Sequence, residues 1–135
     1  MQTFLPHPNF AVSAMVLDRQ RLGKQRLECV QILRAMKNGG GWSKHPAVTM
    51  WRGSERALQL YHDVVVREWV ARGYKNSMEL FCPDSAKIKL PWWLGDDEFH
   101  SSHRAALLLK NPDYYGQFGW SETPQNCYIW PGERQ

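Results

Sequence analysis

Helical periodicity runs from residue 10 to residue 37, and it constrains the fold more than any other feature. Val12, Met15, Val16, Leu27, Val30 and Leu33 recur on one broad face at helical spacing. NGGG at 38–41 stops the pattern, since glycine readily takes the left-handed conformation that ends a helix. KHPAVTMWRG reads as a short helix with Pro46 at its first position and Gly53 after its end. Ser54 then caps a helix that runs to Arg72 and stops at Gly73, with Leu58, Tyr61, Val64, Val65 and Trp69 facing inward. Between Asn76 and Gly95, Pro83 and Pro91 leave mostly loop with a single turn.

DDEFHSSHRAALLLKN opens on three acids, which suit the positive end of a helix dipole, and finishes with Lys110. NPDYYGQF reads as a cap, a first-turn proline and a short helix. Strand-like residues occur only in CYIWPGERQ, which reads as an extended strap. The predicted fold is mainly α: a compact single-domain bundle of about four or five helices over 1–135, with an extended C-terminal strap.

A chain of 135 residues with 43% apolar and 13% aromatic content is neither disordered nor collagen-like, and it can bury a core without disulfides. No apolar run approaches the length of a membrane span and no charged-then-apolar leader opens the chain. These features predict a soluble cytoplasmic monomer with no membrane partner. Cys29, Cys82 and Cys127 are odd in number and form no CxxC pair, as expected of reduced thiols.

The net charge of +4 is unevenly spread. Residues 1–56 hold nine Lys/Arg and three Asp/Glu, whereas residues 57–135 hold eight and ten. A basic half joined to a neutral or acidic half points to one electrostatic face, for which nucleic acid is the commonest partner. LDRQRLGKQRLE concentrates that charge. At 100° per residue Arg21, Lys24 and Glu28 share one face and read as a solvated, ion-paired surface. Arg19 and Arg26 fall in the stripe with Val12, Val30 and Leu33, where a guanidinium needs a partner. Snorkelling, a helix break at Gly23 and an anion site, most naturally phosphate, all account for them.

His7 and His45 each precede proline at a loop-to-helix junction, whereas His62 reads as a surface or packed residue within a helix. His100 and His103 share a helical face, yet no third ligand follows at a zinc-like spacing, so no metal and no cofactor are expected. Histidines here suit phosphate hydrogen bonding or proton transfer. Most of the seven tryptophans are expected in the core, with Trp51, Trp92 and Trp93 as candidates for stacking on unpaired bases. The absence of GxxxxGK[ST], GxSxG and GxGxxG argues against NTP hydrolysis, serine esterase chemistry and dinucleotide binding.

LPHPNF, LDRQRLGKQR, GWSKHPAVTMWRG and FHSSHRAALLLKNPDYYGQFGW, in that order, resemble the pyrimidine dimer DNA glycosylase (endonuclease V-type) superfamily, in particular its small phage and bacterial members. The resemblance spans residue 1 to about 120 and implies a helical domain that flips a nucleotide out of duplex DNA. It further implies excision of a damaged pyrimidine by the N-terminal α-amine through a Schiff base at C1′, with β-elimination able to nick the strand. A glutamate about 21 residues after the amine assists in that family.

Carried onto this chain, the amine falls on Met1, which the bulky Gln2 is expected to leave in place. The arginine beside the glutamate matches Arg21, and a second family arginine falls on Gln25 beside Arg26. The glutamate position falls on Leu22, leaving Asp18, His7, His45 or His103 to replace it. The candidate catalytic set is therefore Met1, Asp18, Arg21, His45 and His103. DNA contacts are expected from His7, Arg19, Lys24, Arg26, Lys44, Trp51, Arg52, Trp92, Trp93, His100 and Arg104. A non-catalytic module for distorted DNA and an enzyme acting on a small nucleotide are the competing readings. Borohydride trapping separates the first from a glycosylase, and mononucleotide binding separates the second.

Overall fold

In the computed structural model, which describes residues 1–131, helices account for all of the regular structure. They are α1 (Phe10–Val16), α2 (Arg19–Asn38), α3 (Pro46–Thr49), α4 (Glu55–Ala71), α5 (Asp97–Lys110) and α6 (Pro112–Tyr115). Short 3-10 turns lie at Ser85–Lys87 and Gly116–Phe118. The mainly helical architecture is as predicted. Among the described residues no helix is long and apolar enough to cross a membrane.

Local side chains cap most of the helix starts. Asn9, His45, Asp96 and Asn111 each accept a hydrogen bond from a backbone N–H in the first turn of the helix that follows. Gly39, with φ of 76°, ends α2. Ser54 stands at the cap position of α4 without a side-chain cap bond.

The single helix predicted over 10–37 is broken. Leu17 and Asp18 both take extended conformations, so the chain turns between α1 and α2 and the helical register restarts. Val12, Met15 and Leu27, expected in the core, are consequently exposed. The buried stripe of α2 is instead Leu22, Gln25, Glu28, Cys29, Ile32 and Ala35.

The core joins this stripe to Leu58, Tyr61 and Val65 of α4, to Phe99 and Leu107 of α5, and to Tyr115 of α6. Val64 and Trp69, predicted to face inward from α4, are only partly buried. Residues 119–131 form the strap, in which Gln125 N–H bonds Ala105 O at 3.2 Å and Ile129 N–H bonds Ser102 Oγ at 3.1 Å. Its side chains Tyr128 and Trp130 pack on the core.

The α2–α4 packing leaves no room for a side chain at Gly23, where a Cβ would lie 2.8 Å from Trp69 Cζ3. Alanine is the better helix former by about 1 kcal/mol. Here the rigid indole reverses the sign: Gly23→Ala is expected to destabilise by about 1–3 kcal/mol through overpacking. Chemical denaturation of the variant checks this, and a raised midpoint would show that Trp69 yields at no cost.

Candidate active site

Gln2, Thr3, Phe4, Leu5 and Pro6 are all buried. Backbone in such a place requires hydrogen-bond partners, and here helix side chains supply them. Gln25 of α2 accepts from Phe4 N–H at 2.8 Å and donates to Gln2 O at 2.9 Å. Tyr61 of α4 donates to Phe4 O at 2.5 Å. On α5, His103 Nδ1 accepts from Leu5 N–H at 3.0 Å, while His100 Nδ1 lies 2.7 Å from Leu5 O. Gly95 N–H donates to His100 Nε2 at 2.9 Å, which leaves the His100 proton on Nδ1 to serve Leu5 O. Arg104 NH1 bonds Pro6 O at 2.7 Å, and Trp51 Nε1 bonds Thr3 Oγ1 at 3.0 Å.

The last contact of this series opens onto a cleft. Gln2 N–H donates to Glu28 Oε2 at 2.5 Å, and Lys24 Nζ stands 3.8 Å from Glu28 Oε1. A cavity of about 460 Å³ is lined there by Met1, Arg21, Lys24, Glu28, His45, Lys110, Tyr128 and Trp130. Arg21 is oriented by Asp18, with NH1 at 3.2 Å from Oδ1. His45 spends Nδ1 on the Ala47 N–H and stands edge-on to Trp130, with centroids 5.7 Å apart. Three cations, one carboxylate and two flat aromatic faces thus surround the start of the chain. Such a set can hold phosphates, move a proton at an amine and stack on a planar ring.

The family model for pyrimidine dimer DNA glycosylases matches residues 1–81. The chain belongs to that family. No curated protein and no solved structure matches it. The glycosylase match covers Met1, Arg21, Lys24, Glu28 and His45, whereas Lys110, Tyr128 and Trp130 reach the cleft from beyond it.

Several positions differ from expectation in this member of the family. Leu22, placed at the glutamate position, is fully buried in the core, and the carboxylate beside the N-terminal segment is Glu28. Helical spacing predicts a solvated face for Glu28; it is buried because the stripe of α2 begins at Leu22 and includes it. Asp18 does not line the cleft, since its carboxylate is taken by Arg21 and the Tyr115 hydroxyl.

The histidines divide between cleft and core. His45 lines the cleft, whereas His100 and His103 hold the Leu5 peptide from within the core. His7 is partly buried, 5.9 Å from the Trp120 ring, and Arg104 is held by Glu122 and Pro6 O.

Trp51 and Trp93 are buried, with indole N–H groups bonded to Thr3 and Met50 O, so neither offers a face to a base. Trp92 is exposed beside Lys89 and Arg52, in a separate depression. Lys44 and Arg52 are exposed, the latter bonding Ser43 O.

Arg19 and Arg26 find aromatic partners, 5.1 Å from the Tyr74 ring and 4.3 Å from the Trp69 ring. Arg26 also bonds Asn76 Oδ1 at 2.7 Å. Their need for a partner is therefore met within the chain. A cue for Glu28 was available in sequence: with the register restarted at Asp18, 100° steps set Gln25 and Glu28 beside Leu22, Cys29 and Ile32.

Burial pushes His103 down to about 3 and also lowers His100 and His7 from the usual 6.5. At His103 the unfolded chain therefore binds a proton near pH 6.5 that the folded chain refuses until about pH 3. Stability is fully present above about pH 6.5 and declines as pH falls toward the folded value. His103 alone should remove about 2 kcal/mol by about pH 5, a range in which most carboxylates stay ionised. Urea midpoints at about pH 7.5 and 5 test this, and equal midpoints would contradict it.

Proposed function

We propose that this protein excises a damaged or modified pyrimidine from double-stranded DNA, with the Met1 α-amine as nucleophile and Glu28 managing its protons. The observation that carries the reading is the 2.5 Å bond from Gln2 N–H to Glu28 Oε2, one residue from the α-amine in a cation-lined cleft. Glu28 fills the role that the family resemblance assigns to a glutamate, and Arg21 stands nearby as that resemblance implies.

In this reading the target nucleotide swings out of the stack and brings C1′ to the amine. The amine lone pair attacks C1′, and the bond from C1′ to the base breaks. The base leaves with that electron pair and takes up a proton. Glu28 accepts the proton shed by the nitrogen and passes it to O4′ as the sugar ring opens, which leaves a protonated imine. Loss of a C2′ proton then expels the 3′-phosphate and nicks the strand, whereas hydrolysis returns an abasic sugar. Arg21, Lys24 and Lys110 hold the flanking phosphates, while Tyr128 and Trp130 face the extruded base.

Borohydride reduction of the imine on abasic, uracil- and dimer-containing duplexes tests the scheme. The wild-type chain should form a covalent complex, and acetylating the α-amine should abolish it. Glu28→Gln should slow base release at least about 100-fold while leaving salt-dependent duplex binding in place. Duplex binding with neither trapping nor base release on any of these substrates would favour a recognition module instead.

A further inference from the structure

The cleft continues past the amine. A second lobe of about 510 Å³ shares Met1, Lys24 and Glu28 with the first, and Arg34, Asn38 and Trp42 bound its far side. Trp42 is 56% exposed, a large apolar ring in water at the rim of the reacting centre. Its indole meets the His45 ring at 5.4 Å.

The turn that carries Trp42 is firmly built. Ser43 sends its N–H at 3.2 Å and its hydroxyl at 2.8 Å to Gly40 O, and His45 N–H bonds Trp42 O at 3.0 Å. Arg52 ties the turn to the body through Ser43 O at 2.9 Å. Gly39 and Gly40 have φ of 76° and 103°, conformations that side chains rarely tolerate. A Cβ at Gly39, Gly40 or Gly41 would meet nothing within 4 Å, so this edge of the turn is bare backbone open to solvent. Lys37 and Lys44, both exposed, flank it in sequence.

We infer that Trp42 is a wedge: its indole enters the base stack of the duplex and fills the gap left by the extruded nucleotide. The inference rests on the glycosylase reading above and deepens it. Extrusion leaves an unstacked gap beside the abandoned partner base, and an aromatic ring is the side chain that best replaces a base there. The bare glycine edge lets a sugar–phosphate backbone come close, and the two lysines meet its charge. A base-pocket role suits Trp42 less, because Tyr128 and Trp130, both partly buried, already wall the other lobe.

The test compares borohydride trapping of one abasic-site oligonucleotide as a duplex and as a single strand, since only the duplex demands extrusion from a stack. Trp42→Ala should lower the ratio of duplex to single-strand trapping about 10- to 100-fold, and Trp42→Phe should restore most of it. Equal unfolding midpoints for the variants and the wild-type chain would tie the change to DNA engagement. An unchanged ratio overturns the wedge, including the outcome in which only base-bearing substrates suffer, which would make Trp42 a wall of the base pocket. If the wild-type chain traps neither form, the glycosylase reading itself fails, and the wedge with it.

Discussion

The structure depends on satisfying a buried stretch of backbone with side chains. Residues 2–6 are buried, and three helices supply hydrogen bonds to their peptide groups through Gln25, Glu28, Tyr61, His100, His103 and Arg104. Leaving one such group unpaired costs about 1–3 kcal/mol. The polar residues inside this small core are therefore part of what positions α2, α4 and α5 around the segment. Hydrophobic burial alone would hold those helices together with far less control over their rotation.

The same arrangement puts an anchoring contact and the carboxylate of the proposed reaction on one residue. Glu28 accepts from the Gln2 amide and faces the cleft that Met1 lines, so the contact that anchors the N-terminal segment also presents the carboxylate. In the reaction we propose, the N-terminal amine is useful only if the end of the chain is held still. Here the immobilisation begins at the second residue and continues to Pro6. The cations of the cleft come from α2 and from the last residue of α5, and the strap adds Tyr128 and Trp130 to the lining.

What could be read in the sequence was mostly local. Helix ends at Pro46, Gly73, Asp96 and Asn111 follow from capping and dipole chemistry within a turn or two of the residue concerned. Apolar spacing gives the wrong face for α2 because one extended pair, Leu17 and Asp18, resets the register, and nothing in that spacing marks the break. The partners of Trp51, His100 and His103 were hidden for a different reason. They lie in the N-terminal segment, 48 to 98 residues away in sequence, and a histidine holding a distant peptide looks no different from one awaiting a substrate. The basic cluster divided in a way composition could not show: Arg21 and Lys24 face the cleft, while Arg19 and Arg26 rest on aromatic rings.

The missing side chain at Gly23 has a mechanical consequence. Trp69 touches α2 at that point, well over 90° around the helix from Gln25 and Glu28 by 100° steps. The closeness of the indole leaves the helix little freedom to roll about its own axis, and Arg26, stacked on the same ring, adds to the restraint. Gly23 thus acts as a bearing surface: a contact on the outer side of α2 sets the angle at which its inner side delivers a carboxylate to the start of the chain.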